Sequence, residues 1–159
     1  MADALGQIAW LLTQSPLHRE LKIRVLETVF MPAILAEQFR LFRFGALPQT
    51  PDMASLENLG LSRESLEKMP LGVAVWARLS PEALQKVERG EMIAPSEWQS
   101  GDEICVIEMV APYANAENKL AEAMLLDLAN SPFKATPFSV FRTDVATGRR
   151  ERTVISNHL

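Results

Sequence analysis

Two residues stand out for the chemistry they could do, His18 and Glu108. His18 is the one interior histidine, because His158 lies next to the last residue. It follows the break Ser15-Pro16 by about one turn of chain, which brings a hydroxyl within reach of its ring. A neutral imidazole accepts a proton near pH 7 and so suits a general base. On spacing alone it could equally be a structural or solvated histidine. Glu108 sits in Ile104-Cys105-Val106-Ile107-Glu108-Met109-Val110, where nearly every neighbour is apolar. A carboxylate in such a run is costly unless hydrogen-bonded or paired. Either its face of the strand is open to solvent, or it points into a cleft and orients a histidine.

The elements that must hold these two groups can be read from periodicity. Leu5, Ile8, Leu11 and Leu12 predict a first helix over 4–14, with Asp3 as its cap. Ser15 as N-cap and Pro16 at the first helical position predict a second helix, from there or from Lys22 toward Gln38, kinked at Pro32. Gln38–Phe44 alternates large apolar and basic residues and reads as a strand. Residues 45–70 read as an excursion with one short helix, Ser62–Met69. Gly72–Leu79 is a buried strand, and Ser80-Pro81 starts a helix that ends at Gly90. After a loop over 91–102 comes the strand Glu103–Val110. A helix then begins at Asn115 or Ala116 and stops at Asn130-Ser131-Pro132. Strands over 137–143 and 149–156 follow, joined by a hairpin loop over Asp144–Gly148. The expectation is one α/β domain over 1–159, built around a mixed sheet.

Composition narrows the function classes. The chain has 159 residues, 48% hydrophobic and 23% charged, a globular balance at a length that buries a full core. A single cysteine, Cys105, rules out an internal disulfide and a multi-cysteine zinc site, and its apolar neighbours predict a buried thiol. No metal site is expected. The formal charge of −4 speaks against nucleic-acid binding, although cations cluster at Arg19, Lys22 and Arg24, at Arg40 and Arg43, and at Arg149, Arg150 and Arg152. No apolar run is long enough to cross a membrane, and residues 1–4 lack the basic start of a secretory signal, so the expected location is the cytoplasm. Phosphate-loop, dinucleotide and serine-hydrolase signatures are absent.

Several blocks, taken in order, resemble a known family. Gly6-Gln7-Ile8-Ala9-Trp10-Leu11, Ser15-Pro16-Leu17-His18-Arg19, Pro32-Ala33-Ile34 and Gln38 are similar to the N-terminal half of the toxin-activating lysine acyltransferases, which activate RTX protoxins. Trp76-Ala77 with Leu79-Ser80, then Trp98-x-Ser100-Gly101-Asp102, Ile107-Glu108 and Ala111-Pro112, and finally Phe141-Arg142-x-Asp144 extend the likeness to residue 148. The Ser-Pro-Leu-His-Arg and Trp-x-Ser-Gly-Asp blocks together make it specific.

The resemblance implies a GNAT-like fold, with a mixed, mostly antiparallel sheet flanked by helices. It implies His18 as the essential histidine with Ser15 beside it, and Glu108 where the family has a catalytic aspartate. Substrate contacts are expected at Ser15, Arg19, Trp98, Gly101 and Asp102. No resident cofactor is implied. The acyl donor it implies is acyl carrier protein, the acceptor it implies is an internal lysine of an RTX protoxin, and it admits a homodimer. A lysine ammonium, with a free pKa of about 10.4, must lose a proton before it attacks, so His18 would act as base and Glu108 would hold its tautomer. An acyl-histidine route stays open beside it. Residues 48–70 read as an insertion, and Tyr113-Ala114-Asn115 departs from the family's aromatic-glycine loop. Two other classes also stay open: a GNAT-like acyltransferase using acyl-CoA on another amine, and a non-catalytic partner-binding descendant.

Overall fold

Five strands lie side by side in chain order: β1 (Phe39–Arg43), β2 (Pro70–Leu79), β3 (Glu103–Val110), β4 (Phe138–Thr143) and β5 (Arg150–Ile155). This computed structural model describes residues 1–45, 53–134, 136–143, 147 and 150–156. Neighbouring strands are antiparallel except β3 and β4, which run parallel. A parallel pair needs a crossover, and α6 (Leu120–Asn130) provides it. The sheet is thus mixed, mostly antiparallel and open at both edges, an α/β architecture compatible with a GNAT-like fold.

Among the described residues, β3 and β4 are joined only at Ile104–Phe138 and Cys105–Ser139. Beyond that point they part, and the sheet opens between them.

Helices cover both faces. On one, α1 (Ala2–Gln14) buries Ile8, Leu11 and Leu12 against Val73, Val75, Ala77 and Leu79 of β2, beside α2 (Met31–Leu35) and α5 (Pro81–Glu88). On the other, α3 (Met53–Asn58), α4 (Arg63–Lys68) and α6 pack on Ala74, Trp76, Ile104 and Val106. β2 lies between two cores, which is why its sequence is almost continuously apolar rather than alternating. Arg40 on β1 pairs with the buried Asp127 of α6 and ties the second layer to the edge strand. No helix among the described residues is long and apolar enough to cross a membrane.

Several local expectations are corrected. Asp3 lies inside α1, where its carboxylate accepts from Gln7 at 2.8 Å, and does not cap it. Ser15 ends α1 rather than starting a helix, its N–H donating to the Leu12 carbonyl, and residues 16–21 form turns and a bend. The next helix contains a π-helical turn, Leu26–Phe30, ending two residues before Pro32. A proline has no N–H and crowds the carbonyl four residues back; the wider turn, with Met31 N–H reaching the Leu26 carbonyl, accommodates it. The excursion holds two helices, α3 and α4, where one was expected; α4 is capped by Ser62 accepting from Ser65 N–H. The last helix starts at Leu120, not at Asn115 or Ala116. There the Asn115 side-chain carbonyl accepts from the backbone of Glu117 and Asn118 and closes a separate turn, as asparagine tends to. The expected hairpin loop, including Asp144, Gly148 and Arg149, lies largely outside the described residues, as does His158.

Candidate active site

Ser15 builds the turn that carries His18. Its carbonyl accepts from the N–H of His18 at 3.0 Å and of Arg19 at 2.9 Å, closing one helical turn after Pro16 has stopped α1. The imidazole folds back over that turn, so that Nδ1 lies 2.6 Å from Ser15 Oγ. Ser15 is buried, and the His18 side chain keeps 12% of its surface exposed.

Across the sequence, His18 Nε2 stands 3.3 Å from Glu108 Oε1, between residues 90 apart. Whether a strand carboxylate could reach this side of the sheet depends on an irregularity in β3. In β3, Cys105 faces the α1 side while Ile104 and Val106 face the α6 side. Strict alternation would turn Ile107 to the α1 side and Glu108 to the α6 side. Val75 instead pairs with Glu108 while Trp76 pairs with Val106, so Ile107 is an extra residue, a β-bulge. After it the alternation is reversed: Met109 packs on the α6 side and Val110 on the α1 side. Glu108 therefore shares the face of α1 and the His18 turn. Its side chain remains 38% exposed.

Two clefts meet at this carboxylate. The larger, of about 620 Å³, is the gap between the parting strands β3 and β4, lined by Val106, Met109, Leu125, Val140 and Phe141. The smaller, of about 180 Å³, opens among Val29, Val87, Ile93 and Trp98. Ile107, Glu108 and Arg150 line both. Glu91 also lines the smaller cleft, and the Arg89 guanidinium bonded to it holds its carboxyl below the usual range. The meeting point thus has one carboxylate, Glu108, and one guanidinium, Arg150, the latter stacked over Phe141 at 5.2 Å.

Of the remaining expected substrate contacts, Arg19 lines a separate groove beside His18, Trp98 lines the smaller cleft, and Gly101 and Asp102 line neither of the two clefts. Arg19 is exposed, 3.8 Å from Glu20. Trp98 is buried at the end of a 3₁₀ turn, Pro95–Trp98, and only lines the smaller cleft; its indole N–H has no partner among the described residues. Gly101 lies against backbone, not in either cleft. A Cβ there would meet the Leu79 carbonyl oxygen at 2.4 Å and Ser80 N at 2.6 Å. With Gly101 N–H donating to the Arg78 carbonyl and Ser100 Oγ accepting from Ser80 N–H, the Ser-Gly pair clamps the β2–α5 corner. Asp102 is exposed beside it and lines neither cleft. Cys105 is buried, and burial pushes its thiol up to about 12, so it is no nucleophile at neutral pH.

A histidine flanked by serine and a strand carboxylate, at the edge of a gap between parallel strands, narrows the comparison with known proteins. The model of the RTX toxin acyltransferase family matches residues 1–51 and 59–157. The chain belongs to this family. The leukotoxin-activating lysine-acyltransferase of a Pasteurella haemolytica-like species (strain 5943B) is 32% identical over 116 residues, 72% of this chain and 57% of that protein. The RTX-II toxin-activating lysine-acyltransferase of Actinobacillus pleuropneumoniae is 28% identical over 115 residues, 72% of this chain and 58% of that protein. A protein-lysine myristoyltransferase of Kingella kingae is 30% identical over 113 residues, covering 70% and 54%. The chain thus spans little more than half the length of the curated relatives it matches.

Within this family member, Ser15, His18 and Glu108 come together in one place. The bulge at Ile107 and the placement of Arg150 were missed in the sequence. No composition signal marks a bulge, and Arg150 is one of several arginines until β5 is laid beside β4.

Proposed function

We propose that the chain transfers a fatty acyl group from acyl carrier protein to the ε-amine of an internal lysine in an RTX-type protoxin. The observation that supports this reading most is the contact of His18 Nε2 with Glu108 Oε1 at the edge of the gap between β3 and β4. The apolar walls of that gap suit an acyl chain, and the half-exposed Glu108 suits an approaching ammonium.

The reaction is RCO–SR′ plus Lys–NH₃⁺ giving RCO–NH–Lys, HS–R′ and a proton. When Glu108 is ionised and the site is empty, Nε2 carries the ring hydrogen and donates to it, while Nδ1 accepts from Ser15 O–H. An ammonium entering between Nε2 and Glu108 needs the other tautomer, with Nδ1–H donating to Ser15 Oγ and the Nε2 lone pair free. A hydroxyl both donates and accepts, so Ser15 serves either state. His18 then takes the ammonium proton and passes it to solvent; the free amine attacks the thioester carbon, His18 takes the second proton from the attached nitrogen, and the departing thiolate receives that proton from the imidazolium. Glu108 stabilises that imidazolium. At 3.3 Å the resting contact is longer than a usual charge-assisted bond, which leaves it easy to open.

The test is to co-express the chain with an RTX protoxin and measure the toxin's intact mass. An added acyl mass on a lysine, lost with His18→Ala, supports the reading. An unmodified toxin, with acyl carrier donor left unconsumed, overturns it.

A further inference from the structure

The turn that carries His18 continues into the most exposed apolar surface of the described residues. Leu17 is 86% exposed and Ile23 84%, more than any other large apolar side chain described, and Leu21 lies between them. A groove of about 230 Å³ runs beside Leu21 and Ile23, floored by Leu12, Val25 and Leu26, and His18 itself forms part of its wall. Single exposed apolar residues need no explanation, but three within residues 17–23, two of them lining a groove walled by a reactive side chain, mark a binding surface.

The patch is also basic in an acidic chain. Residues 17–24 contain Arg19, Lys22 and Arg24 against Glu20, whereas the whole chain carries −4. Lys22 and Arg24 have no ion-pair partner among the described residues. In the other clusters Arg40 is held by Asp127, and Arg152 by Glu88. Uncommitted cations beside exposed apolar groups present a surface complementary to an acidic, partly apolar polypeptide.

Reach decides which partner that is. A lysine side chain extends roughly 6 Å from its backbone on a four-carbon stem, so an acceptor polypeptide must run directly beside His18. A carrier protein hands over its thioester on a long arm and needs no such proximity. Resting on the proposed acyl transfer, we infer that the groove and residues 17–24 seat the acceptor segment. An apolar side chain near the target lysine lies in the groove, and acidic residues flanking that lysine face Lys22 and Arg24. This surface selects the lysine to be acylated.

The probes are fluorescent twelve-residue peptides with one central lysine. One carries leucine and flanking Asp and Glu, a second replaces the acids by Asn and Gln, and a third replaces the leucine by serine. Anisotropy is expected to show the first bound at least tenfold tighter than the others at low salt. Lys22→Glu/Arg24→Glu should abolish the preference for acids, and Ile23→Ser should weaken the preference for leucine. The double variant should keep the wild-type affinity for acyl carrier protein. Failure of the wild type to prefer the acidic peptide, or a preference insensitive to charge reversal, overturns the inference. So does a double variant that loses carrier affinity instead, or wild-type sedimentation with vesicles of phosphatidylcholine and phosphatidylglycerol that the variant loses, which would make the patch a carrier or a membrane surface. Donor consumption and toxin mass are read separately, so acyl transfer that persists alongside charge-insensitive peptide binding defeats this inference alone.

Discussion

His18 Nε2 and Glu108 Oε1 lie 3.3 Å apart although 90 residues separate them, and the contact depends on one unpaired residue, Ile107. Because the bulge sets the side of the sheet and the side-chain length sets the gap, both can be varied. His18→Ala should lower acyl transfer at least about a hundredfold, the range lost with a general base. Glu108→Gln should cost about tenfold or more, because the amide still accepts a hydrogen bond but no longer draws an ammonium. Glu108→Asp retracts the carboxylate by one methylene and should fall between Gln and wild type. Initial rates with acyl carrier donor check the order. A fully active His18→Ala would remove the base.

In the proposed reaction Ser15 is a positioning residue, acting through the imidazole. Ser15→Ala removes the Nδ1 partner, a hydrogen bond of about 1 kcal/mol, and should lower kcat roughly fivefold to tenfold with KM little changed. Ser15→Thr, which keeps the hydroxyl, should restore part of it. A KM effect without a kcat effect would assign Ser15 to binding.

Gly101 should respond as a packing residue. A Cβ 2.4 Å from the Leu79 carbonyl oxygen cannot be relieved by a flexible side chain, so Gly101→Ala should destabilise by about 2–3 kcal/mol. The melting temperature should drop by roughly 5–10 °C. Gly6, in α1 with open space around it, predicts the opposite: Gly6→Ala should stabilise by about 0.5–1 kcal/mol through helix propensity. Calorimetry of the two variants would show melting temperatures moving in opposite directions; equal shifts would contradict the clamp.

Cys105 gives a pH-dependent prediction. Burial, opposed by nearby Arg152 and Arg150, pushes its thiol up to about 12, while an unfolded thiol titrates near 8.5. Between these values the unfolded chain has lost a proton that the native chain keeps. This contribution to stability is therefore intact below the unfolded value and declines as pH rises toward 12. The urea midpoint should fall between pH 9 and about 11, and fall less in Cys105→Ala. Iodoacetamide at pH 8.5 should label the thiol only in denaturant. Rapid labelling of the native chain would place the sulfur at the surface.

Much of this fold is legible one residue at a time. Ser80-Pro81 writes a helix start, and Ser80 Oγ does accept from Ala83 N–H. The continuous apolar run of β2 is that of a strand between two layers, and Cys105 among isoleucine and valine is a buried thiol. Local rules misjudge residues 16–23, because the Ser-Pro pair that can open a helix can also close one. They also misjudge Asn115, whose side chain competes with the helix for its own backbone.

The sequence by itself determined the element types, the two chemically conspicuous residues and the family likeness, since these follow from side-chain period, capping chemistry and residue identity. Tertiary structure alone decided that imidazole and carboxylate share one face. Alternation along β3 points Glu108 to the wrong side, and only the register against β2, set by pairing with a strand more than twenty residues away, inserts the bulge that turns it round. It also decided where the sheet opens, because the parting of β3 and β4 depends on how far their ladder extends, which neither strand encodes alone.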